Sequence, residues 1–278
     1  FIHANAIDLD FDNHFLISSR NLDEITKIHR TSGEIIWRWG GSKSDFTFTN
    51  DYPFTHQHSI QSLGNNRYLL FDNGNHSSQF TGKSNFSRAV EYELDTVLMT
   101  ANKVWEFVHP DSLYTPTISS VQRLPNGNTL AVIKEKRIVP DLGDKIIADE
   151  AIVEITPNGE EIWRWRAGDH INEFGLSDEG LDLWRALIDH SGGLPAGFIT
   201  INDMAPIGPN RWFDSGDTRF HPDNIVIDSR EGSFIAIIEK STGSIVWRVG
   251  PDYPTMSSPE LRPRFDTHVP RPLDQTSG

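Results

Sequence analysis

A short tryptophan-containing segment recurs along this chain and constrains the fold more than any other feature of the sequence. In three copies an isoleucine or valine precedes the tryptophan and an arginine follows it, and a fourth copy is weaker. The anchoring residues are Trp37, Trp105, Trp163 and Trp247. Repeats of this size indicate supersecondary units that cannot bury their own apolar faces and must stack on their neighbours.

Each repeat has the pattern of four β-strands. Residues 3–9 alternate between apolar and polar side chains, as a half-buried strand does. The turn pairs Asn126-Gly127 and Asn158-Gly159 suit tight hairpins, because both residue types tolerate positive φ. The order of strands and turns predicts a four-stranded antiparallel sheet in each repeat.

Repeated sheets of this kind predict an all-β chain with a β-propeller architecture. We expect one domain over residues 1–278, with blades at about 3–40, 58–108, 119–166 and 199–250. A ring closed by these four blades is one alternative. A larger ring with further blades outside this chain is favoured, because the chain stops abruptly in a tail at 251–278. The repeated tryptophans are expected to pack between neighbouring blades.

Residues 170–197 interrupt the repeat pattern. Leu181, Trp184 and Ile188 are spaced as on one face of a helix, and Ser177 or Asp178 can cap the N-terminus of that helix. We therefore predict a short helical insertion between the third and fourth blades.

The composition excludes several classes of function. The net charge is −14, which disfavours a nucleic-acid partner because phosphate binding requires clustered Lys and Arg. Disulfides and thiolate catalysis are excluded because the chain has no cysteine. An apolar run of about 18 residues, which a membrane span requires, is not present.

Two Asn-x-Ser triplets predict glycan sites at Asn75 and Asn85 if the protein is secreted, although such triplets also arise by chance. The chain begins at Phe1 without Met or a signal peptide. We therefore expect a fragment or a processed form, with a secreted or extracellular location.

The first strand of each repeat is expected to line a central channel. Aligning the repeats places His3, His58, Ser119 and Thr200 at equivalent positions. A single histidine in a strand is usually structural, but two at one repeat position favour a site. Imidazole titrates near neutral pH, so it can act as a nucleophile or as an acid or base. Asn5 lies two residues after His3, and Asn202 lies two residues after Thr200. Because side chains alternate along a strand, each asparagine is expected to lie on the same face of its strand as the residue two positions before it.

Other polar residues are candidates for anion binding or for simple structural roles. The guanidinium groups of Arg20, Arg88 and Arg230 can bind sulfate, phosphate or carboxylate, or can form surface salt bridges. The tract from Asp72 to His76 either lines the channel or forms a turn. The cluster from Asp217 to Asp223 resembles a metal or anion site, but its spacing is not specific, and an ordered loop is favoured.

These residues carry a resemblance to a known family. The matching segments are His3–Ile7 with Ile17–Arg20, Gln57–Ser59 with Phe71–Gly74, Ser87–Tyr92, and Gly216–Asn224. With these motifs, in this order over nearly the whole chain, the sequence resembles the PAPS-independent arylsulfotransferases, and more closely their eukaryotic-type branch.

The resemblance implies a six-bladed propeller with its active site at the central channel. It implies sulfuryl transfer from a phenolic sulfate ester to a phenol through a sulfo-histidine. His3 and His58 match channel histidines and are the predicted catalytic residues, with the choice of nucleophile left open. The predicted substrate-binding residues are Asn5, Arg20, Asp72, Asn73, Arg88 and Asn202. We expect no metal in catalysis and no cofactor, and leave open a structural calcium ion in the channel.

The sequence departs from the family pattern at two places. Thr200 stands where related sequences often have histidine. Asn75-His76-Ser77 stands where an arginine is expected, which leaves Arg88 or His76 as substitutes. The main alternative is therefore a non-catalytic propeller that serves as an extracellular structural or binding module. A metal-dependent hydrolase or lactonase using Asp72 and Asp217 is a weaker alternative, and the oligomeric state is left open.

Overall fold

A computed structural model of the chain describes residues 2–110, 113–190 and 198–251, without the side chains of Leu187 and His190. The predicted tail beyond residue 251 and the end of the predicted insertion at 191–197 lie outside the described residues. Within the described part, strands form four sheets and helices are few.

The first sheet is a meander of four antiparallel strands. These are β1 (Ala4–Leu9), β2 (Phe15–Ser19), β3 (Glu24–Ile28) and β4 (Ile35–Gly40). The second sheet repeats this plan and adds one short strand. It contains β5 (Thr47–Phe48), β6 (His58–Gly64), β7 (Arg67–Asp72), β8 (Arg88–Asp95) and β9 (Thr100–Phe107). The added strand β5 runs parallel to β9 and was not predicted.

The third and fourth sheets are also four-stranded meanders. The third contains β10 (Val121–Arg123), β11 (Thr129–Ile138), β12 (Ile146–Ile155) and β13 (Glu161–Arg166). The fourth contains β14 (Ile201–Pro206), β15 (Ile225–Ser229), β16 (Phe234–Ile238) and β17 (Ile245–Val249). The prediction of a mostly β chain built from repeated antiparallel sheets is confirmed. The closed ring and its number of blades stay predictions.

Strands β11 and β12 are longer than the sequence pattern indicates. A charged run from Lys134 to Arg137 and the pair Asp149-Glu150 appear loop-like in the sequence, but both lie on strands. Lys134 Nζ lies 3.5 Å from Glu150, and Arg137 Nη1 lies 2.8 Å from Asp149. Opposite charges facing each other across a strand pair support the sheet where apolar alternation is missing.

In the described ranges, three α-helices connect these strands: α1 (Ser77–Thr81), α2 (Asp178–His190) and α3 (Arg211–Asp214). The predicted insertion helix is confirmed as α2. Ser177 is its cap, because Ser177 Oγ accepts a hydrogen bond from Gly180 N at 3.1 Å. Trp184 on α2 is fully buried against Phe174 and Phe198. No helix in the described ranges has the length and apolarity to cross a membrane.

The chain divides into two compact units. The first consists of Phe1–Ile133 and Glu154–Ile162, and the second of Lys134–Val153 and Trp163–Gly278. In the first unit, aromatic rings from the first two sheets form a core. Trp39 is fully buried with its ring centroid 4.9 Å from Phe54 and 5.2 Å from Tyr92. This core fixes the face-to-face packing of the first two sheets.

Three of the four repeated tryptophans contact the next sheet along the chain, as predicted. Trp37 on β4 contacts Tyr68 on β7 edge to face. The indole of Trp105 on β9 donates to Pro157 O at 3.1 Å, at the turn between β12 and β13. In the second unit, the indole of Trp163 on β13 donates to Lys240 O at 3.1 Å, at the turn between β16 and β17. The same indole-to-turn contact therefore recurs one sheet further along.

The first strands of three sheets lie side by side in the first unit. Asp8 on β1 accepts a hydrogen bond from Ser62 N at 2.7 Å, and Ser59 Oγ on β6 donates to Val121 O on β10 at 3.0 Å. First strands that adjoin one another in this way bring together the residues at their N-terminal ends, where His3 and His58 lie.

Candidate functional site

His58 begins β6 and is buried, with 3% of its surface exposed. Its Nδ1 lies 2.7 Å from Asn73 Oδ1, and its Nε2 lies 3.3 Å from Ile118 N. Because the amide oxygen can only accept and the backbone N–H can only donate, these partners assign the proton to Nδ1. The imidazole is therefore held in one tautomer and one orientation.

Burial lowers the pKa of His58 to about 4, and the positive charge of Arg20 acts in the same direction, whereas the hydrogen bond to Asn73 opposes the shift. Charged imidazole is disfavoured where water cannot solvate it. The ring is consequently neutral at neutral pH.

Asn73 follows β7 and links His58 to the segment 113–120. Its Nδ2 donates to Thr115 O at 2.7 Å and to Ile118 O at 2.8 Å, while its Oδ1 accepts from His58. Every polar atom of this buried amide is used, so Asn73 orients the histidine. The backbone groups of this segment could not be predicted from the sequence, because carbonyl and amide groups of a loop leave no side-chain signal.

His3 lies beside His58 and is exposed. The two ring centroids are 6.1 Å apart, with the rings edge to face. The carbonyl oxygen of His3 accepts a hydrogen bond from Arg20 N at 3.0 Å, which ties the start of β1 to the end of β2. The structure thus brings the two predicted histidines together, one buried and one facing solvent.

Arg20 and Asn5 present polar atoms that have no partner among the described residues. The guanidinium of Arg20 donates to Pro116 O and to Asn21 Oδ1, each at 3.0 Å, but its buried Nε makes no hydrogen bond. Burial lowers the pKa of Arg20. Asn5 Nδ2 donates to Gln57 O at 2.7 Å, and its buried Oδ1 is unpartnered. A buried donor or acceptor without a partner is costly, so these atoms are candidates for ligand contacts.

Asp72 and Arg88, also predicted to bind substrate, lie in a buried ion cluster. Arg88 is 2% exposed and contacts the carboxylates of Asp51, Asp72 and Glu106 at 2.9–3.0 Å. Asp72 also accepts hydrogen bonds from Thr55 N and Gly74 N, both at 2.9 Å. The Arg88 guanidinium is therefore saturated by protein carboxylates, and the cluster fixes the loop that carries Asn73.

A second group of ligand-type side chains lies next to His58. Asp23, His56 and His76 each place a potential ligand atom within 4.8 Å of the other two. His56 O accepts from His58 Nδ1 at 3.2 Å, so this group adjoins the histidine pair. The sequence analysis did not single out Asp23 or His56, although the His56-Gln57-His58 spacing was a usable signal. Among the residues that the structure describes, these three form the group that could hold a metal ion.

The remaining predicted residues lie in the second unit. Thr200 O accepts from Arg230 N at 3.0 Å, as His3 O accepts from Arg20 N, which supports aligning Thr200 with His3. Asn202 on β14 donates to the side chain of Asp228. Asp217 pairs with Arg219 at 2.7 Å and caps a 3-10 helix, so the Asp217–Asp223 cluster is an ordered loop, as favoured from sequence.

The two predicted glycan acceptors contact each other. Asn85 Nδ2, the atom that would carry a glycan, donates to Asn75 O at 2.7 Å, and Asn85 Oδ1 accepts from Ser78 N at 2.9 Å. Both residues are half-buried. Glycosylation at these positions stays a prediction.

Solved structures that resemble this chain are distant from it. A protein of unknown function from Bacteroides caccae is 12% identical, with a TM-score of 0.42 over 84% of this chain and 56% of that one. Virginiamycin B lyase from Staphylococcus aureus is 12% identical, with a TM-score of 0.42 over 92% and 57%. Hydrazine synthase from Kuenenia stuttgartiensis is 12% identical, with a TM-score of 0.44 over 86% and 53%. The chain thus spans about half the length of these structures.

No curated protein matches the sequence. The family model described as Arylsulfotransferase (ASST) matches residues 1–132 and 122–257, which together include all four sheets. The match covers both histidines, Arg20 and Asn73. The chain therefore belongs to the arylsulfotransferase family.

Proposed function

We propose that the protein transfers a sulfuryl group from a phenolic sulfate ester to a phenolic acceptor, with a histidine as the intermediate carrier. The family supplies the reaction class at the coarse level of sulfuryl transfer. The observation that carries the finer proposal is the pairing of an exposed His3 with a buried, tautomer-locked His58 beside Arg20.

His3 is the proposed nucleophile, because its ring can reach a substrate in solvent. One imidazole nitrogen forms a bond to sulfur while the bond from sulfur to the phenolic oxygen breaks, and the leaving phenolate takes up a proton from water. An acceptor phenol then gives its proton to water and its oxygen bonds to sulfur, while the nitrogen–sulfur bond breaks and releases the imidazole. The sulfuryl oxygens carry negative charge throughout, and the Nε of Arg20, which has no partner among the described residues, is the proposed donor to one of them.

His58 is a proposed positioning residue. Both of its nitrogens are engaged, and the ring is buried, so it packs against His3 rather than contacting substrate. The low pKa of His58 keeps its ring neutral. A neutral His58 adds no positive charge to that of Arg20 beside His3, and a neutral His3 imidazole, which the attack requires, is favoured.

The test measures phenol-dependent release from a chromogenic aryl sulfate by the 278-residue chain and three variants. His3→Ala should abolish turnover and prevent covalent labelling by a ³⁵S-labelled donor. His58→Gln should reduce the rate but retain labelling. His221→Ala is the matched control, because His221 is half-exposed on a loop of the second unit.

Labelling that survives in His3→Ala and disappears in His58→Gln would reverse the two roles. A folded wild-type chain that turns over none of several donors would reject the enzyme proposal, and would favour a binding or structural module.

A further inference from the structure

The cluster of Asp23, His56 and His76 has the geometry of an incomplete metal coordination sphere. Asp23 Oδ1 lies 3.2 Å from His56 Nδ1. In a tetrahedral site with metal–ligand bonds of about 2.0–2.1 Å, two ligand atoms are about 3.3 Å apart. The ring centroids of His56 and His76 are 5.0 Å apart, and the exposed side chain of His76 can rotate toward the other two ligands.

A second observation concerns the same atom of His56. Its Nδ1 is buried and lies 3.2 Å from the carboxylate oxygen of Asp23, a contact that is an ion pair only when the imidazole is protonated. The same separation suits a neutral imidazole and a carboxylate that are two ligands of one cation. We propose that Asp23, His56 and His76 bind a divalent transition-metal ion of the Zn²⁺ class.

The backbone holds the three residues in place. The carbonyl oxygen of Thr55 accepts a hydrogen bond from Gly74 N at 3.1 Å, and Thr55 Oγ1 accepts one from His76 N at 3.0 Å. These two bonds hold His56 and His76 side by side. Asp23 Oδ1 accepts from His56 N at 2.6 Å. Gly74 has φ +66°, and a Cβ there would lie 2.0 Å from Phe86 O, so only glycine allows this turn.

The donor set selects the class of metal. Two imidazoles and one carboxylate suit Zn²⁺, Co²⁺ or Ni²⁺, whereas Ca²⁺ requires six or more oxygen ligands. Three protein ligands leave a fourth tetrahedral position for water or a bound anion. The proposed ion is therefore different from the structural calcium that the sequence analysis left open. Arg20 is the cationic residue nearest to Asp23 along the chain, and its carbonyl oxygen accepts a hydrogen bond from Asp23 N at 3.2 Å. The positive charge of Arg20 opposes the binding of a cation.

The test titrates Co²⁺ into the untagged, EDTA-treated 278-residue chain, followed by visible d–d absorption and by metal content after gel filtration. One equivalent should bind with a tetrahedral spectrum, and Zn²⁺ should displace it. Asp23→Asn and His76→Ala should each weaken binding by roughly tenfold or more. The control is His29→Ala. The rings of His29 and His14 are 4.5 Å apart, but their Nδ1 atoms accept hydrogen bonds from backbone N–H groups and so are not available to a metal ion.

Binding by His76→Ala within twofold of wild type would overturn the proposal, as would the absence of saturable one-equivalent binding by wild type. His76 is exposed, so His76→Ala should fold normally, and its thermal melt checks this even if Asp23→Asn is unstable. The readout is independent of sulfuryl transfer, so the outcome bears on the metal site alone.

Discussion

At the residue scale, the environment of His58 decides what the histidine pair can do. A neutral imidazole with a fixed tautomer results from two hydrogen bonds, one from its Nδ1 to Asn73 and one to its Nε2 from the backbone of Ile118. These hydrogen bonds offset the free energy needed to bury a neutral imidazole. They do not offset the much larger free energy needed to bury a charged imidazole. The stability of the fold should therefore depend on the protonation of this one residue.

The pH dependence of stability follows from the pKa of His58, which is about 4 in the folded chain and about 6.5 when unfolded. The unfolded state binds the proton more tightly, so the contribution is fully present above pH 6.5 and is lost as the pH falls toward 4. The expected loss is roughly 2–3 kcal/mol. Urea unfolding of wild type and His58→Gln between pH 7 and pH 4.5 measures this loss in the free energy of unfolding. The variant should lack the part of the pH dependence that comes from His58.

His221→Gln is the control for that measurement, because His221 is half-exposed. Parallel loss of stability in wild type and His58→Gln would contradict the assignment of the shift to His58.

At the element scale, the sheets are joined by a repeated contact. The last strand of one sheet carries a tryptophan whose indole N–H donates to a carbonyl at the turn of the next sheet, as Trp105 does to Pro157 and Trp163 does to Lys240. The apolar ring of the indole packs against the neighbouring sheet, and its one N–H group forms a hydrogen bond that aligns the two sheets. The shared contact accounts for the tryptophan at the same place in these two repeats.

Removal of one such link should be measurable. Trp163→Phe keeps most of the apolar surface but loses the hydrogen bond to Lys240 O, so the free energy of unfolding should fall by about 1 kcal/mol. Chemical denaturation measures the change. Trp212→Phe is the control, because Trp212 is 48% exposed and stacks on Phe220. Equal effects of the two substitutions would show that the link contributes nothing specific.

At the scale of the whole molecule, the net charge of −14 sets the electrostatic background. Surface carboxylates repel one another at low ionic strength, and this repulsion is screened beyond about 10 Å at 0.1 M salt. Buried clusters such as that of Arg88 are screened much less, since water and ions do not enter them.

Salt should therefore stabilise the fold as a whole. The melting temperature should rise by a few degrees between about 10 mM and 200 mM NaCl, because self-repulsion weakens while the buried ion pairs persist. Calorimetry in NaCl and in KCl checks this, and the two salts should agree if screening is the cause. An unchanged or falling melting temperature would mean that surface ion pairs outweigh the repulsion.

The four sheets and the insertion helix could be predicted from the sequence, because local signals specify them. Alternation of side chains, Asn-Gly turns and the recurring tryptophan act over a few residues, and β1 covers most of the strand predicted at residues 3–9. Local signals failed where charge replaced apolar alternation, as in the ends of β11 and β12, and where pairing is between distant segments, as for β5.

The tertiary structure alone decided how the candidate residues are used. The sequence named His3 and His58 as catalytic residues but did not distinguish their roles, because residue type does not specify burial or partners. Packing buried His58 and left His3 exposed, and it saturated Arg88 with carboxylates. It also placed Asp23, His56 and His76 together, since contacts between residues 20 to 53 positions apart depend on how the sheets stack and not on any local pattern.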